Sequence, residues 1–107
     1  MEQKLYVLVR SDLSKSQQAV QAGHAVAEFC KAEAGRYHWD GRELAQAPWR
    51  WVNGTLVYLR VRDLADLTEW ANRIDNRHPF YEPDIGDQMT AFAVLGHQEG
   101  FDQLRLV

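Results

Sequence analysis

Gln17, Gln21, His24, Glu28 and Lys31 recur at spacings of three and four. On a helix, that spacing lines five polar side chains along one stripe. An imidazole gives or takes a proton near neutrality, and Glu28, one turn beyond His24, is spaced to hold the ring and favour its charged form. The same spacing fits a half-exposed surface histidine held by Glu28 or by a backbone carbonyl, and periodicity does not choose between them. A second set of groups lies in Glu82-Pro83-Asp84-Ile85-Gly86-Asp87. Asp84 could accept a proton there, or simply cap a turn. Glu82, Asp84 and Asp87 could share a divalent cation, but no histidine stands at ligand spacing, so we expect no metal and no other cofactor. Thr90 is either a third polar participant or a β-branched residue opening a strand.

The elements that must position these groups follow from the pattern. Leu5 to Val9 and Thr55 to Val61 are near-continuous apolar runs, as in strands covered on both faces, and Ala91 to Leu95 is a third. Ser14-Lys15-Ser16-Gln17 fits a capping box, so a helix should begin there, run to about Glu33 and end at Gly35. Ala19, Ala22, Gly23, Val26 and Cys30 form its small-residue stripe and should face the sheet. A second helix is expected over residues 63–75, where Leu64, Leu67, Ala71 and Ile74 share a face. Strand, helix, strand suggests a right-handed crossover. Asn53-Gly54 marks a tight turn, residues 49–52 could pair back as a short strand, and Phe80 to Glu82 reads as a short edge strand. Arg10 and Asp12 fall at the carboxyl end of the first strand, where open α/β sheets place ligands.

The chain has 107 residues, which suits one domain over residues 1–107. A net charge of −3 argues against a surface coated by nucleic acid, while leaving room for a local basic patch. Cys30 is the single cysteine, so no intrachain disulfide can form. The opening residues are too broken by charge for a signal sequence or a membrane span. A cytoplasmic protein without membrane contact is the expectation.

One resemblance covers most of the chain. Val9-Arg10-x-Asp12-Leu13, a short polar loop, then Ala19-x-Gln21-x-x-His24-Ala25 resembles the archaeal and eukaryotic type of peptidyl-tRNA hydrolase. Asp84, Gly86 and Thr90 extend the likeness. It implies a three-layer α/β/α domain around a mixed, mainly four-stranded sheet. It also implies a homodimer that hydrolyses the ester joining a peptide to the 3′ end of tRNA without a metal. The family's active-site histidine, aspartate and threonine fall on His24, Asp84 and Thr90. The position of its lysine falls on Gln17, with Lys15 close by, and its Gly-Arg-Thr run is replaced by Gly86-Asp87-Gln88.

For such a reaction Asp84 or His24 would take the water's proton, and Lys15, Gln17 or N–H groups of the helix's first turn would stabilise the oxyanion. Gln21, Arg10 and Asp12 would contact substrate. Arg36, Arg42 and Arg50 alternate with Tyr37, Trp39, Trp49 and Trp51, a mixture on which the unstacked bases of a tRNA end could rest, Arg36, Trp39 and Arg50 being the chosen contacts. The same aromatic residues also suit a flap over the sheet edge or a dimer contact. The departures from the family pattern leave a second expectation: a catalytically impaired relative that binds tRNA or a protein partner.

Overall fold

The computed structural model describes residues 3–107. The chain forms strand β1 (Leu5–Arg10), helix α1 (Lys15–Ala34), strands β2 (Tyr37–Trp39), β3 (Leu44–Gln46) and β4 (Leu56–Val61), helix α2 (Leu64–Asn72), and strands β5 (His78–Glu82), β6 (Gln88–Leu95) and β7 (Arg105–Leu106). Five strands make one mixed sheet in the order β5-β6-β1-β4-β7. β1 lies parallel to β4 and antiparallel to β6, so both its edges are hydrogen-bonded.

Strand pleating divides the core. Leu5, Val7 and Val9 of β1 pack with Ala91, Ala93 and Leu95 of β6 against Ala22, Ala25 and Phe29 of α1. Leu8 joins Phe92, Val94, Leu59 and Val61 against Leu67, Trp70 and Ala71 of α2. Alternate residues of one strand therefore serve different helices, which is why the strands read as continuous apolar runs. Alanines of α1 meet alanines of β6, and side chains that small let the helix backbone come close to the sheet.

Several expectations need correction. The sheet has five strands rather than four, because Arg105–Leu106 pairs with β4 at the far edge. Residues 49–52 form no strand; β2 pairs with β3 as a separate hairpin instead. The buried face of α1 is Gln18, Gln21, Ala22, Ala25, Phe29 and Glu33, whereas Ala19 and Gly23 are exposed. The small-residue stripe missed the true face by about one residue, because three polar residues lie on the buried side with partners of their own.

Ser14 does cap α1, accepting the Gln17 N–H at 3.2 Å. The Gln17 side chain does not reach back but turns to Gln21. The second helix starts as expected, with Asp63 accepting the Asp66 N–H at 2.9 Å. Pairing of β5 with β6 shifts register between Phe80 and Tyr81, so Phe80 lies opposite Ala91 and Tyr81 opposite Met89. Thr90 is the extra residue of that bulge, a device that re-aims a side chain.

Candidate functional site

The bulge and the first turns of α1 together build a cleft. Gln18 fastens the β1–α1 loop by donating to the Leu13 carbonyl at 2.8 Å, which sets where the helix begins. Gln17 and Gln21, one turn apart, then face β5 and β6. The buried Thr90 hydroxyl donates to Gln21 Oε1 at 2.8 Å, and Gln21 Nε2 donates to Glu82 Oε2 at 2.9 Å and to Gln17 Oε1 at 3.3 Å. Glu82 also accepts the Asp84 N–H at 3.2 Å, capping the 3-10 turn Pro83–Ile85. Gln21 thus bridges three elements, and it satisfies a hydroxyl that would otherwise be buried unpaired.

The cleft encloses about 180 Å³ between the apolar Leu13 and Ile85 and the polar Gln17, Gln21, Glu82, Asp84 and Thr90. The Gln21 hydrogen bond holds the Glu82 carboxyl below its usual range, helped by the Asp84 N–H and by the charge of His24. Glu82 is therefore an ionised acceptor at neutral pH. Asp84 lines the same space, its backbone held by Glu82.

Of the residues singled out in the sequence, Gln17, Gln21, Asp84 and Thr90 meet here. His24 and Lys15 do not line the cavity. His24 is exposed one turn beyond Gln21, its ring stacked on Phe80 at 4.3 Å between centroids. Glu28 pairs with Lys31 at 3.3 Å instead of holding His24. Lys15 is exposed at the first position of α1. Glu82, the carboxylate at the centre of the network, was considered in the sequence only as a cation ligand; its place before Pro83, opening a turn, was the one signal that could have found it. Among the described residues, no group of three His, Cys, Asp or Glu side chains is placed to share a metal ion.

Arg10, Arg36 and Arg50 have structural duties. Arg10 forms a fork on Asp12 (Nε–Oδ1 3.0 Å, Nη2–Oδ2 2.8 Å) and donates to Gln88 Oε1 at 2.9 Å. It thereby ties the end of β1 to the start of β6, two residues from Thr90. That pairing lowers the Asp12 pKa and raises that of Arg10. Arg36 and Arg50 both grip Glu33, which is only 1% exposed; Arg50 donates from its backbone at 3.1 Å and from Nε at 2.9 Å, with a further contact from Nη2. A carboxylate at a helix carboxyl end is unfavourably placed, and these arginines compensate it. Burial opposes ionisation of Glu33, yet the Arg50 hydrogen bonds and the two positive charges outweigh it and lower the pKa. Trp39 stands exposed on β2, away from the cleft lining.

Fold and site together describe a mixed α/β domain with a small polar cleft between its first helix and a bulged strand pair. No family model matches the chain, and neither does any curated protein. Among solved structures, Atu0240 of Agrobacterium tumefaciens str. C58, a protein of unknown function, is similar in fold. The TM-score is 0.59 at 11% identity, over 100% of this chain and 98% of that one.

Proposed function

We propose that this chain is a peptidyl-tRNA hydrolase-like enzyme with α/β/α layering, cleaving the ester between a peptide or related acyl group and the 3′ end of tRNA. The observation that supports this reading is the convergence of Gln17, Gln21, Asp84 and Thr90, from three separate elements, on one cleft. Asp84 takes a proton from water, and the water oxygen bonds to the acyl carbon. The tetrahedral centre then collapses with loss of the ribose oxygen, which receives a proton from His24, one turn beyond Gln21 on α1. Gln17 Oε1 is occupied by Gln21, which leaves the Gln17 NH₂ to donate to the oxyanion. Gln21 and Thr90 act as positioning residues for Glu82 and Gln17, and Lys15 adds positive potential at the helix start. A cytoplasmic homodimer is part of the proposal.

Purified protein should release peptide from a peptidyl-tRNA. Gln17→Ala should lower kcat about 10²-fold, as expected for the loss of one oxyanion donor. Asp84→Asn and His24→Ala should each lower it by about 10²- to 10⁴-fold. No release at enzyme concentrations matching the substrate would end the enzymatic reading. One observation favours a second reading, a module that binds without cleaving: neither Lys15 nor His24 lines the cavity. Salt-sensitive tRNA binding without turnover would select it.

A further inference from the structure

A second cleft, of about 340 Å³, opens where β1 and β4 end, bordered by Ser11, Arg60, Arg62, Asp66, Gln103 and Arg105. It shares no residue with the cleft beside α1. Arg60 of β4 and Arg105 of β7 are direct cross-strand partners, so their side chains leave the same face side by side. Both are exposed, and among the described residues neither guanidinium has an ion-pair or hydrogen-bond partner. Like charges directly opposite each other cost stability, and an anion held between them would offset that cost. Arg62 is engaged by Asp66, whose carboxylate accepts its backbone N–H at 2.9 Å and its Nε at 3.5 Å. The residues that border it thus include three arginines and a single aspartate, in a chain whose net charge is −3. The carboxyl ends of neighbouring parallel strands are where open α/β sheets take ligands, and the guanidinium fork matches phosphate oxygens.

We infer that this cleft binds a phosphate-bearing ligand, gripped by Arg60 and Arg105 with Arg62 and Ser11 beside them. Gln103 also lines an adjoining cavity of about 560 Å³ next to Trp70 and Arg73, which gives the rest of such a ligand room. The inference does not rest on the hydrolase reading.

Inorganic tripolyphosphate and a single-stranded RNA oligonucleotide, each titrated calorimetrically into the full chain at low salt, test it. Tripolyphosphate should bind saturably. Arg60→Gln and Arg105→Gln should each weaken binding about tenfold, the loss of one charge-assisted contact, while Lys31→Gln on α1 leaves it unchanged. Arg105→Gln should melt no lower than the parent without ligand, since it removes a like-charge pair. RNA that competes with tripolyphosphate and shows the same arginine dependence identifies the source as a nucleic-acid strand. Dependence for tripolyphosphate alone identifies a small phosphorylated compound. No binding, or an equal loss in Lys31→Gln, overturns the inference.

Discussion

Gln21 is the residue on which the cleft turns, because its amide satisfies Thr90, Glu82 and Gln17 together. Gln21→Leu keeps most of the volume but orphans the buried Thr90 hydroxyl, so unfolding free energy should fall by about 1–3 kcal/mol in a urea titration. A Gln21→Leu, Thr90→Val double variant should recover part of that loss, since the unpaired group goes too. Acid sensitivity belongs to this scale as well. Burial of His78 against Phe29, with the Arg50 charge nearby, holds its pKa below 6.5. The unfolded chain then binds the extra proton more readily than the folded one, so stability is full above pH 6.5 and declines as pH falls below it. Glu33, also held low, adds a second decline below its ordinary 4.5 as the pH falls through its folded-state pKa. Urea midpoints measured against pH should show both limbs, and His78→Gln should erase the upper one alone.

The elements were largely legible in the sequence, and their weak points follow from it. Ser14 announced the start of α1, and Ser14→Ala should cost about 1 kcal/mol by removing the Gln17 N–H acceptor. Gly23 sits exposed inside the helix, and a Cβ added there would meet nothing within 4 Å. Gly23→Ala should therefore stabilise by about 0.5–1 kcal/mol, visible as a higher melting temperature. The buried face of α1 was harder to read. Gln18, Gln21 and Glu33 look like surface residues by type, and only their partners in the β1–α1 loop, in β5 and around Arg50 make their burial tolerable. β7 was invisible for another reason: two residues carry no period, and its strand character comes wholly from pairing with β4.

Across the whole molecule, β1 and β6 are bonded on both edges and covered by both core clusters, whereas the β2–β3 hairpin stands apart from the sheet with Tyr37, Trp39 and Leu44 exposed. Two-stranded pairs are marginal alone, so amide exchange should be fast over residues 37–46 and slowest in β1 and β6. That uneven stability separates what each source of information could decide. Strand runs and helix caps were written in neighbouring residues, because propensity and periodicity are local properties. The cleft was not. Gln21 meets Glu82 across 61 positions and Thr90 across 69, Arg60 meets Arg105 only when β7 closes the sheet, and a bulge decides where Thr90 points. Which polar groups are buried together is a matter of long-range register, and that is settled only when the strands have paired.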